Sequence, residues 1–294
     1  MEIINDAQVG PRRFYVMLRL VSDLPGPTKQ EVSHLTQLPV ILDHASDVSK
    51  SSLLASENTY KHAVNCEQIS ENEGKILSLH GDSKQVSTML SFQDHMRQVL
   101  LGITEAKQSN FLFNLFSAWY AVQDEKVLFP SEEYHVSFNT DMSPYFPKPE
   151  DRLFNSTKLN GWRQWAEFLG LGWVMRWGSR PILIPDATKR VKAVLPEVFY
   201  DTELLRFHLF IERLAELCPE LDGGKLFTYC WQASRGTEIR GNRLSLMLST
   251  ALRTLTTLQE IQLLEEADSL DVWKLYRNQG GLYQEVTHIQ RKKA

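Results

Sequence analysis

Cysteine is scarce in this chain: Cys66, Cys218 and Cys230 are the three among 294 residues, and no two form a CxxC pair. That excludes a zinc ribbon and a disulfide framework, and it fits a reducing cytoplasm as the expected location. Long hydrophobic runs are also lacking. No stretch of about 18 apolar residues occurs, so no membrane span is expected. The opening MEIINDAQVGPRRF lacks the charged-then-apolar layout of a signal peptide. Positive charge is short as well, since 32 lysines and arginines against 36 aspartates and glutamates leave a formal charge of −4. A protein that coats DNA with its whole surface carries the opposite excess. Any nucleic-acid contact therefore has to come from a local basic patch.

The familiar signatures of catalysis are missing. There is no GxxxxGK[ST] phosphate loop, no GxGxxG turn and no GxSxG elbow. Pro185-Asp186 could open a restriction-type nuclease motif, but no acidic-x-Lys follows within the next 40 residues. Asp186 reads instead as a helix N-cap. His208 and Glu212 stand one helical turn apart, whereas a metal site needs three or more ligands. The other histidines are scattered singly. The expectation is a non-enzyme with no catalytic residue, no metal and no cofactor.

What is present is ordinary globular composition, 43% apolar and 23% charged, at a length that suits two or three domains. Arg12 to Leu24 has apolar positions at helical spacing and stops at Pro25-Gly26-Pro27. Thr28 and Glu31 form a capping box for a short second helix. A third helix is expected near Ser52 to Val64, with Leu53, Leu54, Tyr60, Ala63 and Val64 as its buried face. The alternating segment 68–79 crosses a polar turn and predicts a β-hairpin. Three helices closed by a hairpin is the winged-helix order.

The same order recurs near the other end. Asp201 to Cys218 reads as a helix, Leu226 to Trp231 as a short apolar piece, and Leu244 to Leu255 as a leucine-rich helix. Ile261–Glu266 and Asp271–Leu275 then flank an acidic turn and predict a wing. A partial copy lies between: a helix from Thr157 to Leu169, a hairpin around Gly178-Ser179-Arg180, and a helix from Pro185-Asp186 that ends before Pro196. The fold class is therefore mainly α with small β-hairpins (α+β), in tandem winged-helix modules. The expected division is an N-terminal winged helix over 1–81, a helical connector over 82–150, a central helix-hairpin-helix over 151–199, a C-terminal winged helix over 200–280, and a tail over 281–294. Segment 143–150, with three prolines, is the candidate linker. Seven tryptophans, with Trp162 and Trp165 on one helix face, supply core.

The third helix of a winged helix can enter the major groove while the wing touches the backbone. The candidate DNA contacts are Lys61 and Lys75 in the first module, Arg176, Arg180, Lys189, Arg190 and Lys192 in the centre, and Arg240, Arg243 and Arg253 in the last. The densest group is the central one. Both wings carry acids, Glu71 and Glu73 in the first and Glu265, Glu266, Asp268 and Asp271 in the last, which repel phosphate.

The phrases LNGWRQWAEFLGLGW, ILIPDATKRVKAVLP and LSLMLSTALRTLTTLQEIQLLEEADSLDVWKL resemble DpdG proteins, over about residues 150 to 280. Those proteins belong to bacterial gene clusters that insert 7-deazaguanine bases into DNA and restrict unmodified DNA. The resemblance implies a non-catalytic accessory subunit in DNA modification and antiviral defence, working beside helicases and nucleases. It carries no catalytic residue over. A second likeness, of layout and charge only, is to the tandem winged-helix subunits of SMC-type ATPase complexes. It implies a protein–protein scaffold without direct DNA binding.

Overall fold

The computed structural model describes residues 2–36, 47–128, 134–143, 154–178, 180–236, 241–277 and 284–292, with the side chains of 47–53 and of Trp177 left out. Segment 144–150, the greater part of the expected linker, lies outside the described residues. The chain is mainly helical, with small antiparallel strand groups.

Pro11 opens α1 (Pro11–Asp23), where its missing N–H costs nothing, and the helix buries Phe14, Met17, Leu18 and Val21. After the Pro25-Gly26-Pro27 turn comes α2 (Lys29–Leu35). Its capping box is formed: the Glu31 N–H donates to Thr28 Oγ1 and the Thr28 N–H donates to Glu31 Oε2. Next is α3 (Asp47–Asn65), whose buried face is the expected one only in part: Ala63 is buried, Tyr60 packs part-buried on the core, and Leu53 lies outside the described side chains. Leu54 and Val64 are exposed, while Ala55, Ser56, Thr59, His62 and Ala63 face inward. β1 (Ile69–Glu71) and β2 (Leu77–Leu79) pair in the predicted hairpin, and Thr28 bridges to Ile76 beside them.

α4 (Met89–Leu101) leads to α5 (Phe111–Val122), and every residue of α5 is buried. A helix apolar all round must lie in the middle of a protein, and α4 and the helix over residues 225–235 pack against this one. Trp162 Nε1 donates to Ser117 Oγ at 2.9 Å, and the Tyr120 hydroxyl donates to the Leu183 carbonyl. The backbone N–H groups of Leu112 and Phe113, at the helix start, reach the Glu2 carboxylate, each at 3.3 Å. One hydrophobic cluster consequently runs from Ile3 to Ile289. α6 (Tyr134–Met142) closes one side, where Asp141 accepts from Trp119 Nε1 and from Ser234 Oγ.

The central unit matches its expected order. Asn155 caps α7 (Ser156–Leu169), Gly170 ends it at φ 90°, and β3 (Gly172–Trp177) pairs with β4 (Arg180–Pro185) over six residues. Trp162 and Trp165 are wholly buried. α8 (Thr188–Val198) runs through Pro196 instead of ending before it. Asp186 stands one residue before the N-cap position and accepts from the Thr188 N–H at 2.9 Å.

Four expectations fail in the C-terminal unit. Leu204 and Leu205 are not helical; they lie in β5 (Leu204–Arg206), and the helix α9 (Phe207–Leu217) starts after it. The short apolar piece is a full helix, α10 (Lys225–Arg235), lying along α5. Ser245 caps α11 (Leu246–Thr257), and β6 (Ile261–Leu264) follows. The partner of β6 is not the segment after the acidic turn. That segment, β7 (Trp273–Lys274), pairs with β8 (Glu285–Val286), while β6 and β5 both pair with β9 (His288–Arg291). The segment expected as a tail thus supplies the middle strand of a three-stranded sheet. Burial decides the partner: Leu205, Ile289 and Ile261 close the same core face.

Candidate functional site

The candidate DNA contacts do not all reach the surface. Arg190 is 5% exposed. Its Nε donates to Glu220 Oε1 at 2.8 Å and a terminal nitrogen donates to the Leu217 carbonyl at 2.6 Å. Burial works against its charge, but the Glu220 carboxylate outweighs this and holds the guanidinium protonated. Arg190 is an interior tie between α8 and the turn after α9, not a phosphate contact. Lys192 is exposed and pairs with Glu260. Arg253 donates to the Tyr276 carbonyl at 2.5 Å, with burial lowering its pKa. Arg243 is exposed where its backbone bridges to Lys274. Arg176 and Arg180 are exposed along the β3–β4 hairpin. Lys61 stands 3.7 Å from Glu57, and Lys75 lies exposed in the first hairpin turn at φ 59°. Arg240 lies outside the described residues.

α11, the helix expected to read a groove, is covered. It packs on α8, and each of residues 246–256 is buried or half-buried. Lys189 and Arg176 stay exposed without a side-chain hydrogen bond or ion pair among the described residues.

Lys189 lines an open cleft of about 1480 Å³ walled by the start of α1, the start of α4, the second half of α7 and the start of α8. Arg12 and Arg13 face it from α1, Met89, Leu90 and Gln93 from α4, and Gln164, Glu167 and Phe168 from α7. The walls are held in place locally. A Cβ on Gly170 would meet the Lys189 side chain at 2.6 Å, so the turn after α7 seats α8 closely. The Gln164 amide donates to the Ala7 carbonyl at 2.9 Å, the Gln93 amide donates to the Phe168 carbonyl, and Glu167 Oε1 accepts the Val174 N–H at 2.7 Å. Phe168 packs against Phe92 and Trp165 and remains part-exposed.

Arg12 and Arg13 went unnoticed in the sequence because they look like a solvated helix start. Their signal is positional. They sit in the first turn of α1, where no acidic residue is present, at the positive end of the helix dipole. A cation there typically costs about 0.3–1 kcal/mol. Arg13 donates to the Gln8 carbonyl at 2.9 Å, and Arg12 has no partner among the described residues.

Other clusters are weaker. His208 Nδ1 lies 2.6 Å from Asp271 Oδ2. Among the described residues no group of three or more histidines, cysteines or carboxylates could hold a metal ion. The three cysteines are free and buried, and burial raises the pKa of each. No helix among the described residues is long and apolar enough to cross a membrane.

A family model described as DpdG-like matches residues 1–269, and the chain belongs to that family. Neither the curated proteins nor the solved structures contain a match.

Proposed function

From this family membership, we propose that the chain is a non-catalytic accessory subunit of a bacterial Dpd modification–restriction system, acting in the cytoplasm in defence against foreign DNA. Its work is contact with DNA and with partner proteins through winged-helix units. The match across residues 1–269 carries the reading. The layout supports it. At the N-terminal end α1, α2 and α3 precede the β1–β2 hairpin, and at the other end α9, α10 and α11 precede β6 and β9. Three helices followed by antiparallel strands is the winged-helix order.

One observation favours a second reading, a protein–protein scaffold without direct DNA contact, of the kind found in SMC-type ATPase complexes. α11 is packed on α8, and Arg190 is spent inside, so the C-terminal unit has no free recognition helix. In the accessory-subunit reading, DNA contact falls to the exposed cations elsewhere.

Affinity purification of the tagged chain from cells carrying a complete gene cluster tests the proposal. Co-purification of other proteins of that cluster in fixed ratio is expected. Recovery of the chain alone, at low as well as at moderate salt, would sink it.

A further inference from the structure

We infer that the cleft between α1, α4, α7 and α8 binds a single strand of nucleic acid, with phosphates at Arg12, Arg13 and Lys189 and a base laid over Phe168. The inference rests on the DNA-associated reading and narrows it to one surface.

Size argues first. At about 1480 Å³ and open along one side, the cleft exceeds the roughly 300–1,000 Å³ typical of small-molecule pockets, so it suits a stretch of polymer. Charge argues second. Among the described residues three cations line it against one carboxylate, Glu167, which already accepts a backbone N–H. In a chain of net charge −4 this is a local reversal of sign. Arg12 and Lys189 have no hydrogen bond or ion pair among the described residues, and the arginines occupy the end of α1 that repels cations. Local stability does not explain Arg12 or Lys189, whereas an incoming polyanion does.

The floor decides which polyanion. Part-exposed Phe168 is braced by Phe92 and Trp165, and Met89 and Leu90 are 38% and 66% exposed beside it. A flat apolar floor among cations suits an unstacked base with its phosphates on either side. Duplex DNA keeps its base faces hidden, and an acidic peptide has no aromatic face to offer. The amides of Gln93 and Gln164 give their N–H groups to backbone carbonyls, which leaves their own carbonyl oxygens as acceptors for base edges.

The test is fluorescence anisotropy of the whole chain with a labelled 12-nucleotide mixed-sequence strand and with the matching duplex. Three neutralised phosphates at about 0.7 per charge give a slope near −2 in log affinity against log salt. The R12Q/R13Q/K189Q variant is expected to bind at least tenfold more weakly and to lose most of that slope. F168L should weaken binding several-fold with the slope unchanged. Circular dichroism should match the parent, because all three cations are exposed. Triple-variant binding within twofold of the parent would overturn the cleft assignment. So would equal affinity for the duplex, or displacement of the strand by polyglutamate at comparable concentration. The subunit reading fails separately, by loss of co-purification. A triple variant that still co-purifies with its cluster but no longer binds the strand supports both.

Discussion

Replacing Arg190 separates its interior role from the surface role that its neighbours Lys189 and Lys192 suggest. Glu220 is 0% exposed, and its Oε1 depends on the Arg190 guanidinium at 2.8 Å. Its Oε2 is buried with no partner among the described residues. R190M keeps much of the volume but strands a carboxylate in the core, which costs about 3–5 kcal/mol. The Leu217 carbonyl loses its donor too, adding about 1 kcal/mol. A total loss of about 5 kcal/mol, at an m-value near 3 kcal/mol/M, lowers the urea midpoint by about 1.7 M. Tryptophan fluorescence reads the transition, because Trp119, Trp162 and Trp165 are fully buried. R190M/E220L, which removes both charges, should recover most of the loss, since an apolar pair of similar volume is often as stable as a buried ion pair. If R190M left the midpoint within about 0.2 M of the parent and weakened DNA binding instead, the interior assignment would be wrong.

Three further expectations follow from the packing. Burial lowers the pKa of His62 and His95 below the ordinary 6.5, so the folded chain holds both neutral. Their contribution is present above about pH 6.5 and is lost as pH falls through the lowered values; urea midpoints at pH 7.5 and 5.5 should differ less in H62Q/H95Q than in the parent. Gly161→Ala would place a Cβ 2.9 Å from the Ile4 carbonyl, where α7 crosses the N-terminal turn, and should cost about 1–3 kcal/mol in thermal unfolding. Ile289→Ala empties a wholly buried site on the middle strand of the C-terminal sheet and should cost about 2–5 kcal/mol, with faster amide exchange in β5 and β6. An unchanged exchange pattern would mean that β9 is dispensable.

Local order was readable wherever the signal lies within a few residues. The Thr28 capping box, the stop at Pro25-Gly26-Pro27 and both short hairpins are set by residues that act on adjacent backbone, and the folded chain has them all. The family likeness was legible over about residues 150 to 280, and the family model extends it to residue 1. The candidate site was much less legible. Lys189 was recognised, but Arg12 and Arg13 come from a distant segment and meet it only because α1 and α8 flank the same opening.

Periodicity and capping chemistry thus specify helices, turns and the broad α+β class, because those depend on interactions along the chain. Distant pairing is another matter. β9 joins β5 and β6 across long separations, α11 disappears beneath α8, and Arg190 turns inward to Glu220 although it stands between two exposed lysines. Each of these outcomes depends on which apolar faces bury one another, and a periodic pattern marks a face as apolar without naming what will cover it.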